Sequence, residues 1–250
     1  MARLKNKVCI VTGAARGLGR AFALRFAEEG ANLTICDIEV ERLKGVADEI
    51  AAKGANVLSM KVDVSSPEET RIMAEKTWER FGRIDVLVNN AAVYYGLGRK
   101  PFYEIPADEF DRVMKVNVKG VWLCTCAVFP YMKKQGKGKI INIASEVYFT
   151  GSPGFAHYVA SKGAVVGLTR ALCNELGAYN ICVNAVAPGY TDTEASWTVG
   201  DPSKYNVELT PLRRMAKPED IVGLVVFLAS DDSDFITGET ILVDGGRVKG

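Results

Sequence analysis

Short runs of β-branched and other apolar residues alternate along the chain with longer segments whose apolar positions recur every three or four residues. The runs are Val8–Thr12, Asn32–Cys36, Val57–Val62, Val86–Asn89, Lys139–Ile143, Cys182–Ala187 and Thr240–Val243. Most show no polar alternation, which predicts strands covered on both faces. The intervening segments Leu18–Glu29, Val40–Lys53, Pro67–Phe81, Ala107–Lys134, Phe155–Ala178 and Pro218–Ser230 predict helices.

The punctuation agrees. Gly30 and Gly54 follow the first two helical segments as C′ residues would. Ser66-Pro67-Glu68-Glu69 and Lys217-Pro218-Glu219-Asp220 place proline in a first turn with acids behind it. Alternation of this kind predicts an α/β fold with a parallel sheet and right-handed crossovers. The chain shows no break or repeat and is read as a single domain over residues 1–250. Tyr190–Lys217 is its least regular stretch, too long for an ordinary connection, and is expected to form a substrate lid.

A net charge of +1 with mixed acids and bases gives no reason to expect nucleic acid or a membrane as partner. The first apolar run, at Val8, is only a strand long, so neither a signal peptide nor a membrane span is expected there. The six cysteines (Cys9, Cys36, Cys124, Cys126, Cys173 and Cys182) include no Cys-x-x-Cys pair, and His157 is the single histidine. No metal site is expected. Reduced thiols and a cytoplasmic location are the expectation.

Chemistry concentrates at two places. The first strand runs into Thr12-Gly13-Ala14-Ala15-Arg16-Gly17-Leu18-Gly19 and then a helix. Glycines there let backbone N–H groups approach a pyrophosphate at the positive end of the helix, although a tight strand–helix turn also wants glycine. Asp37, at the end of strand two, can accept hydrogen bonds from a ribose diol and would repel a 2′-phosphate; it could equally cap the next helix. No basic residue follows it closely, which with Asp37 favours NAD over NADP. Arg16 could pair with a 2′-phosphate or be a solvated surface charge.

The second place is Tyr158-Val159-Ala160-Ser161-Lys162, where Tyr158 and Lys162 lie one turn apart on one helix face. A nearby ammonium favours phenolate, and a tyrosine so tuned can exchange a proton with an alcohol near neutral pH. Ser145 ends the preceding strand, at the carboxyl edge where a parallel sheet holds ligands; it could also be a plain turn serine.

In the order and spacing of Thr12–Gly19, Asp63, Asn89-Asn90-Ala91-Ala92, Asn117, Ser145, Tyr158/Lys162, Pro188-Gly189 and Asp244-Gly245-Gly246, the chain resembles the compact type of the short-chain dehydrogenase/reductase family over essentially its whole length. The resemblance implies a Rossmann-like, doubly wound fold: a seven-stranded parallel sheet with helices on both faces. It implies that Tyr158 is the general acid/base, that Lys162 lowers its pKa and holds the nicotinamide ribose, and that Ser145 stabilises the substrate oxygen. Asn117 would anchor a water linking Lys162 to solvent. Gly13, Arg16, Gly17, Leu18, Gly19 and Asp37 would hold the dinucleotide. Asp63 and Val64 would meet adenine, and Asn90 and Ala91 would border the adenosine. Pro188, Gly189, Thr191 and Thr193 would hold the carboxamide end. Ala92 departs from the family's usual glycine, which is harmless if no positive φ is required there.

The implied activity is hydride transfer between NAD and a secondary alcohol or ketone. The expected substrate residues Tyr94, Tyr95, Glu146, Tyr148, Phe155, Tyr190 and Trp197 suit an aromatic or alicyclic compound. Any one ring could instead pack core or subunit contacts, and Glu146 could be a surface acid. His157 should point away from Tyr158. An NADPH-linked 3-oxoacyl-thioester reductase is the alternative, with Arg99, Lys100, Arg213 and Arg214 as members of a carrier-docking patch. A catalytically silent dinucleotide sensor is the other. A sugar-nucleotide epimerase shares Tyr-x-x-x-Lys but normally carries a further C-terminal domain. The resemblance implies a homotetramer, with Ala107–Lys134 and Phe155–Ala178 in one interface and Asp244–Gly250 in another.

Overall fold

A computed structural model describes residues 2–201 and 205–249. Seven parallel strands form one sheet in the order β3-β2-β1-β4-β5-β6-β7. They are β1 (Val8–Thr12), β2 (Asn32–Asp37), β3 (Val57–Lys61), β4 (Val86–Asn89), β5 (Gly138–Ile143), β6 (Ile181–Pro188) and β7 (Thr240–Val243). Each expected run became a strand, with ends moved by a residue at most. The long helices are α1 (Gly17–Glu28), α2 (Val40–Ala52), α3 (Pro67–Phe81), α4 (Ala107–Met114), α5 (Gly120–Gln135), α7 (Ala156–Leu176) and α9 (Pro218–Ala229). Two short ones, α6 (Val147–Thr150) and α8 (Glu194–Val199), fall where no helix was predicted.

Both faces of the sheet are covered. Cys9 and Val11 of β1 point into a core with Phe22 and Phe26 of α1 and Ile221 and Val225 of α9. Ile10, between them, points into the opposite core with Met73, Cys124, Val128 and Met132. Period-two alternation thus survives as a choice between two apolar faces. Phe22 and Phe26 are fully buried, and each such side chain stabilises the fold by roughly 1.5–3 kcal/mol. Ser66 caps α3 by accepting from Glu69 N at 3.3 Å, and Pro67 opens that helix, as the local sequence predicted.

The predicted helix Ala107–Lys134 is interrupted. Between α4 and α5, Lys115–Lys119 forms a π turn in which Gly120 N–H reaches back to Lys115 O. Such a turn shifts register by one residue and often marks a functional site. All six cysteines are free; Cys9, Cys36, Cys124 and Cys182 are buried, and Cys126 is exposed. Among the described residues, no helix is long and apolar enough to cross a membrane.

Candidate active site

The strand order turns around between β1 and β4, so their carboxyl ends part and open a crevice. A cavity of about 1170 Å³ occupies it. Thr12 fastens the two strand ends: its Oγ1 accepts from Asn90 N at 3.0 Å and Ala91 N at 3.1 Å, and donates to Val88 O at 3.3 Å. Asn90 Nδ2 donates to Thr12 O at 3.0 Å and Gly13 O at 2.9 Å. Gly13 has φ +65°, and a Cβ on it would stand 2.7 Å from Ala91 Cα. Only glycine allows that approach. Arg16 begins α1 without a side-chain cap, so the first-turn N–H groups at Gly17, Leu18 and Gly19 are left for whatever fills the cavity they line. Ala92 is not among the residues with positive φ, so alanine in place of the usual glycine is unstrained.

Asp37 sits at the rim. Its carboxylate accepts from Ala15 N and Glu39 N, both at 3.0 Å, which fixes it against the glycine turn. Arg16 pairs with Glu39 and lies over the Tyr95 ring, 4.2 Å from its centre. Arg42, which sequence reasoning passed over, pairs with Glu39 at 3.3 Å and with Glu194 of α8 at 2.8 Å. Both rim cations are thus occupied by acids. Asp63 accepts from Ser65 N at 2.8 Å, and it lines the cavity with Val64, Asn90, Ala91, Pro188, Gly189, Thr191 and Thr193. The expected cradle residues all lie along this one cavity. An uncapped helix start, a glycine where a Cβ would clash, and a carboxylate at the end of β2 fit a dinucleotide.

At the other end, Ser145 just past β5 and Tyr158 on α7 line the same cavity. Lys162 is buried one turn along, its Nζ 5.5 Å from the centre of the Tyr158 ring. The ammonium donates to Ile143 O at 2.7 Å, and burial lowers its pKa to about 8. Burial pushes the Tyr158 pKa well above the ordinary value, neighbouring Tyr94 adds to this, and only Ser145 opposes it.

Asn117 lies in the π turn and does not line the cavity. Its side chain stands behind the wall, accepting from Val93 N at 2.7 Å and donating to Ser161 Oγ at 3.2 Å. It therefore joins the exit of β4 to the residue beside Lys162.

Of the expected substrate residues, Tyr94, Tyr95, Glu146, Phe155 and Tyr190 line the cavity, whereas Tyr148 and Trp197 do not. Tyr148 packs on Phe149, 5.0 Å between ring centres, and Trp197 turns outward to donate to Asp192 at 2.7 Å. Short α6 and α8 set these orientations, and their single turns left no periodic trace. Tyr94 and Phe155 flank the catalytic candidate, with ring centres 5.1 Å and 5.9 Å from that of Tyr158. Glu146 is buried rather than on the surface, and burial raises its pKa to about 7. His157 is fully buried and faces Glu109, 3.3 Å away, which Lys100 also holds. Sequence reasoning missed Tyr205 and Arg247, which line the cavity too; the Gly245-Gly246 turn ahead of Arg247 was the available signal.

The four cations considered for a carrier-docking patch are engaged. Lys100 pairs with Glu109, Arg213 with Glu208 and Arg214 with Asp220. Arg99 donates to Ser152 and Pro153 and covers the Phe155 ring at 4.3 Å.

A doubly wound sheet carrying a dinucleotide cradle and a Ser–Tyr–Lys cluster on one cavity defines a Rossmann-type oxidoreductase. A family model described as "Enoyl-(Acyl carrier protein) reductase" matches residues 13–247. The 3-oxoacyl-[acyl-carrier-protein] reductase FabG of Thermotoga maritima is 40% identical over 248 residues, covering 98% of this chain and 99% of that protein. The (2S)-[(R)-hydroxy(phenyl)methyl]succinyl-CoA dehydrogenase subunit BbsD of Thauera aromatica is 39% identical, covering 98% of this chain and 97% of its own. The crystal structure of a short-chain type dehydrogenase/reductase from Mycobacterium marinum superimposes with a TM-score of 0.94 at 36% identity, covering 100% of this chain and 98% of that one. Levodione reductase does so with a TM-score of 0.91 at 34% identity, covering 98% of each chain. The chain belongs to the short-chain dehydrogenase/reductase family, and it is an oxidoreductase acting on CH–OH groups with NAD(P).

Proposed function

We propose that the protein is an NAD-dependent dehydrogenase/reductase of secondary alcohols and ketones with alicyclic or aromatic frames. The observation that carries this reading is the convergence of Ser145, Tyr158 and Lys162 on the cavity whose far end is rimmed by Asp37. Pro188, Gly189, Thr191 and Thr193 would hold the nicotinamide end, and the bound group would supply hydride exchange with the carbinol carbon. Ser145 holds the substrate oxygen, and Tyr158 Oη takes the hydroxyl proton in oxidation or returns it in reduction. Lys162 supplies the positive charge that favours phenolate once its ammonium is drawn from Ile143 O. Asn117 acts as a positioning residue, holding Ser161 and hence the Lys162 turn of α7. Tyr94, Phe155 and Tyr190 furnish aromatic walls and exclude water.

NAD is the reading over NADP because Asp37 is fixed where a 2′-phosphate would approach and Arg16 is neutralised by Glu39. The stretch Tyr190–Lys217, of which residues 202–204 lie outside the described residues, is the proposed lid. Its α8 is fastened across the cavity by Gly96 N donating to Thr198 Oγ1 at 2.8 Å and by the Glu194–Arg42 pair. The subunit contact that a homotetramer would need is supported by the apolar face of Met114, Val118, Trp122 and Leu168, where Trp122 is 45% exposed. Light scattering checks the assembly. Six unpaired thiols suit a reducing cytoplasm. Turnover of a panel of secondary alcohols and ketones with each cofactor, followed by NADH or NADPH absorbance, tests the function. Efficient reduction of 3-oxoacyl thioesters with NADPH and of no simple ketone would replace this reading.

A further inference from the structure

Beside the reacting end of the cavity lies a polar corner that hydride transfer does not use. Glu146 follows Ser145 directly and is 6% exposed. Its Oε2 is buried and has no hydrogen-bond partner. The nearest cation is Arg247, whose Nε stands 3.9 Å away, beyond hydrogen-bonding distance. Arg247 is itself held in place. Its Nη1 donates to Asn206 O at 3.1 Å, and its guanidinium covers the Tyr205 ring at 4.7 Å. Tyr205 in turn stacks on Tyr190, 4.7 Å between ring centres. Glu146, Tyr190, Tyr205 and Arg247 all line the cavity.

A buried acceptor without a partner is costly unless something donates to it. We propose that Glu146 and Arg247 form a polar subsite that reads a second oxygen function on the substrate, making the preferred substrate a neutral diol or hydroxyketone. The second hydroxyl donates to Glu146 and accepts from the guanidinium. With Glu146 ionised the pair is close to charge-balanced, and Asp244 lies beside Glu146, so a substrate carboxylate is disfavoured. A purely apolar alcohol would leave the buried carboxylate unpaired, and sites of this kind discriminate strongly against such analogues. Ser145 and Glu146 are neighbours with Cα atoms about 3.8 Å apart, so the second oxygen belongs close to the reacting carbon.

This inference rests on the alcohol/ketone reading, and two measurements separate them. The first compares kcat/KM for cyclohexanol and the cyclohexanediol isomers in the wild type, Glu146→Gln and Arg247→Met. The expected result is at least about a tenfold preference for one diol in the wild type, lost in both variants. The second is calorimetric binding of the same alcohols to Tyr158→Phe saturated with NAD, with and without Glu146→Gln, which needs no turnover. Diol selectivity in binding that vanishes with Glu146→Gln supports the subsite even if no alcohol is oxidised, an outcome that would sink the catalytic reading alone. Turnover without diol selectivity, or selectivity untouched in both variants, overturns the subsite and leaves the catalytic reading standing.

Discussion

Lys162 Nζ is hydrogen-bonded to Ile143 O at 2.7 Å, not to the phenol one turn away on the same helix face. The ammonium is therefore held on the edge of β5. Tyr158, buried beside Tyr94, stays protonated above the ordinary tyrosine value of 10.0. The difference absorbance of phenolate, wild type minus Tyr158→Phe, should show no ionisation below that value in the cofactor-free protein. It should appear at lower pH once dinucleotide is added. An early phenolate signal without dinucleotide would contradict the arrangement.

Removing the proton-exchanging hydroxyl should separate chemistry from binding. Tyr158→Phe is expected to lower kcat by about 10²–10⁴-fold, the usual worth of positioned proton transfer. Dinucleotide affinity, read by quenching of intrinsic fluorescence, should stay at the wild-type level. Lys162→Met should lose both, because in the proposed mechanism its ammonium serves the phenol and the cofactor end of the cavity together. Equal affinities in the two variants would deny Lys162 its second role.

Cofactor choice is expected to turn on Asp37. Asp37→Asn keeps an acceptor for Ala15 N or Glu39 N and removes the charge that opposes a 2′-phosphate. The ratio of kcat/KM for NADP over NAD should rise by about tenfold or more, from the loss of at least ~1.4 kcal/mol of repulsion. Glu39→Gln, which frees Arg16 while Arg42 keeps its pair with Glu194, should add to that rise. Unchanged ratios in both variants would place discrimination elsewhere.

How far the sequence carried the fold and site follows from length scales. Seven strands and six long helical stretches were legible, because unbroken β-branched runs and two or more turns of apolar period leave a repeat to count. The π turn at Lys115–Lys119 was hidden, since apolar spacing continues through a one-residue slip. Helices α6 and α8 were hidden because a single turn has no period, and with them went the outward orientations of Tyr148 and Trp197. The Arg16–Glu39–Arg42–Glu194 chain and the Glu146–Arg247 corner bring together residues from distant elements, and no local spacing encodes such meetings. The engaged lysine was invisible for the same reason: Ile143 O is a backbone atom of another element.

The glycine turn offers a structural check. In Gly13→Ala the new methyl would stand 2.7 Å from Ala91 Cα on a backbone already at φ +65°. Neither Ala91 nor Asn90 can retreat without loosening the bonds to Thr12 and Gly13 that join β1 to β4. A loss of roughly 1–3 kcal/mol in stability is expected, with weakened dinucleotide binding. Urea unfolding checks the first and fluorescence titration the second. A wild-type midpoint would mean the turn is not clamped as described.

Glu146 should also leave a signature in stability against pH. Burial raises its carboxyl from 4.5 to about 7, so the folded protein holds a proton that the unfolded chain releases across that window. Stability from this group is present below about pH 4.5 and declines as pH rises toward 7. Glu146→Gln keeps the shape without the charge and escapes the decline. The variant should match the wild type near the lower limit and melt higher at about pH 8, by roughly 2–4 °C for each kcal/mol of relief. Calorimetry across the pH range decides the matter. A melting difference that is constant with pH would mean that Arg247 compensates the buried charge in full, and the unpaired Oε2 would then carry no energetic weight.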